Sequence, residues 1–171
     1  MPSFRKYILV AVGLIFLGLI AYMAYGIVAT AQKKREIAAN TQQLPNFKAK
    51  QLNKHIFASN ELPNKPTVII FFNTECEHCQ YEAQEIAQHQ TDFEGINLLM
   101  ISSEEIGKIK AFIAKYQLIN FVKPLQMDIK TMVDTFGAVS IPAIFIYGKD
   151  RHLIKQYKGE ANVASIIKHI K

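Results

Sequence analysis

The sequence predicts an α/β protein with a central mixed sheet, preceded by one N-terminal transmembrane helix. Three observations carry this. Uncharged, β-branched and aromatic runs at 67–72, 96–101 and 143–147 alternate with helical patterns, which implies parallel strand pairs. The last of these runs meets a turn, Gly148-Lys149-Asp150, and an alternating return segment, which adds an antiparallel edge. Finally, Ile8 to Ala31 carries no charged residue, and about 24 residues suffice to cross a hydrocarbon core of roughly 30 Å.

The elements follow in order. The apolar run 8–31 has no polar face, so it does not read as a buried core helix. Its length favours a retained anchor over a signal-peptide core, although Ala29-Thr30-Ala31 fits a small-x-small cleavage pattern. Residues 1–31 are therefore the anchor or signal, 32–45 a polar linker closed by Pro45, and 46–171 the α/β domain. Phe47–Leu52 and His55–Ala58 flank Asn53-Lys54 as a hairpin, and Ser59 is placed to cap a short turn through Leu62. Thr67–Phe72 reads as a doubly buried strand. A helix follows over Cys79–Gln90, with Ile86 on the face of Glu82 and Ala83, and Gly95 ends that region. Ile96–Ile101 is the next strand. Ser102 or Ser103 before Glu104-Glu105 is a helix cap, and Ile106, Ile109, Ile113 and Tyr116 share one face. Val122–Met127 adds a strand and Ile129–Phe136 a short helix stopped by Gly137. After the Ala143–Tyr147 and Leu153–Tyr157 hairpin, Asn162 caps a final helix carrying Val163, Ile166, Ile167 and Ile170.

Charge narrows the function classes. The formal net charge is +6, but Arg5 and Lys6 precede the apolar run and Lys33, Lys34 and Arg35 follow it. From Ile37 on, 15 Lys and Arg stand against 13 Asp and Glu. The basic balance thus reports membrane flanks that meet anionic lipid. No interleaved basic and aromatic patch argues for nucleic acid. Basic residues nearly balance across the span, so the positive-inside rule does not set its orientation. A span so close to the start usually sends the following domain outward, and a thiol pair suits an oxidising compartment; the domain is expected on the extracytoplasmic side.

The chemistry lies in Cys76-Glu77-His78-Cys79, which holds the only two cysteines. A thiol pair between a buried strand and a helix is a device for exchanging disulfides. At the helix mouth the first thiol meets the positive end of the dipole, which favours its thiolate. Cys79, three residues on, lies on the same face and is placed to attack back.

Residues 46–171 resemble a thioredoxin-like domain of the membrane-anchored TlpA/ResA type, within the wider redoxin group. The resemblance rests on two blocks. One is Phe71-Phe72-Asn73-Thr74-Glu75-Cys76-Glu77-His78-Cys79-Gln80-Tyr81-Glu82; the other is Ser140-Ile141-Pro142-Ala143-Ile144-Phe145-Ile146, with Gly148-Lys149-Asp150 and Lys158-Gly159-Glu160 after it. It implies a glutamate behind the cysteines, here Glu82, and a cis proline facing them, here Pro142. It also implies main-chain pairing of a partner at Ile141 and an extra strand and helix between Ser103 and Gly137. The implied activity is reduction of disulfides in extracytoplasmic (periplasmic) proteins, with a membrane electron donor and with partners that include cytochrome c maturation proteins.

This sequence departs from that pattern beside the thiols. Glu75 stands where the family usually has Trp, and Glu77-His78 where proline is common. Glu75 and Glu77 oppose a thiolate at Cys76 and His78 favours one, so all three are expected to tune the pair. Rival readings are weaker. A zinc site needs four ligands, and only His78 or His89 is at hand beside one C-x-x-C. Haem attachment needs His after the second cysteine, where Gln80 stands. No metal or organic cofactor is implied. His55, His152 and His169 read as surface residues, and Glu82 by itself as an exposed helix glutamate. A thiol peroxidase of the peroxiredoxin kind needs Pro and Thr or Ser ahead of its cysteine; those positions hold Ile69 and Asn73. An oxidant or isomerase of disulfides would use the same two thiols.

Overall fold

The computed structural model describes residues 2–170. Met1 and Lys171 lie outside the described residues, as do the side chains of 2–5 and of Val10, so the basic flank at Arg5 is not placed. The chain falls into two compact units, Met1–Glu36 and Ile37–Lys171. The first is a helix, α1 (Pro2–Asn40), that runs on into the second. From Lys6 onward it is long and apolar enough to cross a membrane, with a mean hydropathy of 2.4 in its most apolar stretch.

Residues 32–40, expected as part of a linker, are helical. The reason is local: Gln32, the basic run, Glu36, Ala38 and Ala39 all favour helix, and nothing breaks it before Asn40. Thr41 then turns inward. It is buried, and its hydroxyl donates to the Ile37 carbonyl at 3.0 Å.

The second unit is built on a seven-stranded mixed sheet. In chain order the strands are β1 (Lys48–Gln51), β2 (Ile56–Ala58), β3 (Thr67–Phe71), β4 (Asn97–Ser102), β5 (Lys123–Gln126), β6 (Ala143–Tyr147) and β7 (Leu153–Lys158). In space they run β2-β1-β5-β4-β3-β6-β7. β3 lies parallel to β4 and antiparallel to β6, with Phe71 opposite both Ile101 and Ala143. This is why its five residues are all buried and why they read as an uncharged run.

Alternate residues of β3 serve two cores. Val68, Ile70 and Phe72 face α2 (Glu77–Gln88), α3 (Ile106–Lys115) and α5 (Val163–Ile167), through Ala83, Ile86, Ile109, Phe112 and Ile166. Ile69 and Phe71 face α4 (Ile129–Phe136), through Met132 and Phe136. Phe71, Phe136 and Phe145 stack there with centroids 5.0–5.8 Å apart. Gly137, at φ 64°, ends α4 in the left-handed region where glycine is favoured, and Asn162 caps α5 by accepting from Ser165 N–H at 2.8 Å.

Three local expectations need correction. The helix after the thiols starts at Glu77, two residues earlier than the pattern suggested, with Cys76 itself as its N-cap. Ser59 does not cap the turn that follows it; its hydroxyl accepts from Phe47 N–H and donates to the Pro45 carbonyl, tying the entry strand down. Neither Ser102 nor Ser103 caps α3, because the cap position belongs to Glu105 and the Ser102 hydroxyl is turned toward Glu104.

Candidate active site

The site forms where β3 ends and α2 begins. Phe72 still packs in the core, and the chain then leaves the sheet through Asn73, Thr74 and Glu75. This short loop is heavily held. Thr74 N–H donates to Glu104 Oε2 at 2.6 Å and its hydroxyl donates to Glu104 Oε1 at 2.9 Å. The Gln80 side-chain amide donates to the Thr74 carbonyl at 2.9 Å, and Asn73 Oδ1 accepts from Glu75 N–H at 2.8 Å. The Glu104 side chain is only 12% exposed.

Both cysteines are free thiols. Cys76 is partly exposed at the helix mouth, and its sulfur accepts from Cys79 N–H at 3.3 Å. That N–H points at the atom on which negative charge collects when the thiol acts as nucleophile. Cys79 is 1% exposed. Burial holds its thiol well above the ordinary thiol range, its hydrogen bond to Cys76 raises it further, and the Asn73 backbone offsets part of this. The charges of Cys76 and then Glu82 make the smallest upward contributions. Glu75, Glu77 and His78 have no part in that shift.

Glu82 sits one turn behind Cys79 on the buried face of α2 and is 3% exposed, so it is not a surface glutamate. Neither carboxylate oxygen has a hydrogen-bond partner among the described residues. Burial pushes its pKa up to about 8; the backbone of Ala161 offsets this in part without closing a hydrogen bond, and the Glu160 charge adds to the rise.

The residues flanking the thiols reach outward. Glu75 accepts from Lys108 Nζ at 3.0 Å, and Lys108 also lies 3.7 Å from Glu104. His78 Nδ1 lies 2.8 Å from Glu160 Oε2, clasping the start of α2 to the loop after β7. Glu77 is exposed. His55 and His152 are at the surface as expected, whereas His169 is half-buried, with Nε2 3.2 Å from the Tyr157 hydroxyl.

The third side of the site is the segment before β6. The Ile141–Pro142 peptide bond is cis. Because Ala143 lies opposite Phe71, this segment runs level with the residues that lead into Cys76. Pro142 is buried, while Ile141 is 38% exposed beside Val139 at 77%. Cys76, Cys79 and Glu82 thus share the first turns of α2, strand register brings Ile141 and Pro142 level with the approach to them, and Glu104, Lys108 and Glu160 hold the flanking residues. No sequence pattern pointed to these contacts, since each acts across 30 residues or more of chain.

Glu104 yields a direct prediction. Glu104→Ala leaves the Thr74 N–H without its acceptor and is expected to cost about 2 kcal/mol in denaturant unfolding. Glu104→Gln presents the same acceptor and should cost less than half as much. Equal losses in the two variants would mean that charge, not the hydrogen bonds, holds the loop.

The model of the AhpC/TSA family matches residues 41–156. The chain is 24% identical, over 92% of its length and 90% of the relative's, to the thiol-disulfide oxidoreductase ResA of Bacillus thuringiensis subsp. konkukian. Among solved structures it resembles a secreted Mycobacterium tuberculosis disulfide oxidoreductase homologous to E. coli DsbE, at 20% identity and TM-score 0.64, covering 77% of this chain and 96% of that one. It also resembles a peroxiredoxin-like protein from Aquifex aeolicus at 13% identity and TM-score 0.65, covering 76% and 84%. At these identities the structural likenesses speak to a thioredoxin-like fold.

Proposed function

We infer that this chain, which belongs to the AhpC/TSA family, works as a thiol-disulfide oxidoreductase that reduces disulfides in extracytoplasmic proteins, held at the membrane by its N-terminal helix. The observation that carries the reading is the pairing of a half-exposed Cys76 with a fully buried Cys79, one helical turn apart and backed by a buried carboxyl group. A dithiol built this way presents one sulfur outward and keeps the other in reserve.

The reaction runs in two exchanges. Cys76, as thiolate, attacks one sulfur of a partner disulfide; a mixed disulfide forms and the partner's other sulfur leaves as thiolate. Cys79 then gives up its proton and attacks the Cys76 sulfur, and the second partner thiolate departs. The chain ends oxidised, Cys76 bonded to Cys79, and the partner holds two thiols. Glu82, when ionised, is placed to receive the Cys79 proton as general base. The exposed Ile141, beside Pro142, offers backbone groups to an extended stretch of partner in the strand-addition manner. A membrane electron donor would return the chain to the dithiol. Disulfides met in cytochrome c maturation are a partner class that fits a reductase of this type.

A thiol peroxidase is the second reading, favoured by the likeness to a peroxiredoxin-like structure. Against it, Ile69 is fully buried in mid-strand and Asn73 uses its side chain on Glu75, so neither supplies the Pro and Thr or Ser of that mechanism. The full chain, reduced beforehand with a small dithiol, is expected to reduce a peptide disulfide stoichiometrically and to show a reduction potential well below that of an oxidant. A potential of about −120 mV would make it a disulfide donor instead. Rapid turnover of hydrogen peroxide that survives loss of Cys79 would favour the peroxidase.

A further inference from the structure

Beside the thiol loop, α3 and Thr74 enclose a shallow groove of about 260 Å³, lined by Thr74, Lys108, Ala111, Phe112 and Lys115. It opens two residues from the nucleophile. Its helical wall carries Lys108, Ala111 and Lys115 at spacings of three and four, which place them along one face of α3. Phe112, 4% exposed, forms the floor. α3 carries lysines and no acidic residue.

The two lysines of the wall are used differently. Lys108 already holds a carboxylate, that of Glu75, at 3.0 Å. Lys115 has no carboxylate partner among the described residues; its ammonium lies 5.0 Å from the centre of the Tyr116 ring. Glu75, in the turn before Cys76, therefore shows what this wall accepts: a carboxylate next to a cysteine. Seven residues of helix separate the two ammonium-bearing positions, a rise of about 10 Å, or about three residues of extended chain.

We propose that this groove selects partner proteins that carry an acidic side chain a few residues from the disulfide cysteine attacked by Cys76, with Lys115 as the residue that receives it. The inference rests on the disulfide-reducing function inferred above and names a property of its partners. Charge complementarity supports this: the groove that Thr74 lines also carries, at Lys115, an ammonium that holds no carboxylate among the described residues. An exposed pair of this kind is screened by salt over about 8–10 Å, so the preference is strongest at low ionic strength.

The test uses the full chain, reduced beforehand with a small dithiol, and two disulfide peptides that differ only in Asp or Asn three residues from the attacked cysteine. The half-saturating concentration for the Asp peptide is expected to be about threefold to fivefold lower at low salt, as one carboxylate–ammonium contact near water gives. The Asp-to-Asn ratio should approach one in 0.5 M salt, and should invert in Lys115→Glu. Equal half-saturation for the two peptides, or a preference that persists in Lys115→Glu, overturns the groove while leaving the oxidoreductase intact. Reduction of neither peptide overturns both.

Discussion

Cys79→Ala is expected to turn the protein from a catalyst into a trap. The variant retains Cys76 at the helix mouth, so the first exchange proceeds and a partner becomes covalently attached. The second exchange has no attacking sulfur, and the mixed disulfide waits for an external thiol. Turnover of a peptide disulfide should fall by at least about a thousandfold, the size of loss seen when a covalent mechanism loses a reacting group. A shifted band on a non-reducing gel, which disappears with a small dithiol, would report the trapped complex. Cys76→Ala should lose turnover equally and trap nothing, because the remaining thiol is 1% exposed. Trapping by Cys76→Ala, rather than by Cys79→Ala, would exchange the two roles.

Glu82→Gln should change both stability and the pH profile. The folded protein holds this carboxyl with its pKa pushed up to about 8, against an ordinary value of 4.5. Between those pH values the unfolded chain has released the proton and the folded chain keeps it. The folded state is therefore favoured most below pH 4.5, and the contribution is lost as pH rises to about 8, at about 1.4 kcal/mol per pH unit. Chemical denaturation of the wild type should show this slope in that window, and Glu82→Gln should flatten it and be the more stable chain at pH 8. The same substitution removes the proposed acceptor for the Cys79 proton. Resolution of the mixed disulfide should then slow by about a hundredfold and lose its rise through pH 8. A wild-type stability that is flat from pH 5 to 8 would show that the carboxyl is solvated.

What was legible in the sequence was what depends on neighbours in the chain. The β3 and β6 runs, the hairpin around Asn53-Lys54, the Asn162 cap and the Gly137 stop each follow from short-range pattern, and each is where it was expected. The cysteine pair was likewise readable, because its spacing and strand context are local, whereas the roles of Ile141 and Pro142 came from the resemblance. Glu82 was not readable from residue type, since glutamate is usually outside; its place behind Cys79 came from the resemblance alone. Glu104 was read as part of a helix start, and Ser102 or Ser103 as its cap. Glu104 instead holds the loop before Cys76 across the first βα unit, and Ser102, at the end of β4, bonds to Glu104. Helix propensity over 32–40 was sufficient to continue α1, and it was outweighed in the reading by the polar composition there.

The grip of Glu104 and Gln80 on Thr74 has a consequence for geometry of approach. With its N–H and carbonyl both occupied, Thr74 offers no main-chain pairing to an incoming protein. The Ile141 backbone, in contrast, takes no hydrogen bond among the described residues. On the strand-addition reading proposed above, a visiting chain would pair along one bank of the site only, and would have to be an open, extended edge to do so. Disulfides buried between packed helices would then be poor targets however easily they are reduced, and those in exposed strands or unfolded tails would be served first. The protein would discriminate by the shape of the chain around a bond before it discriminates by the bond's potential.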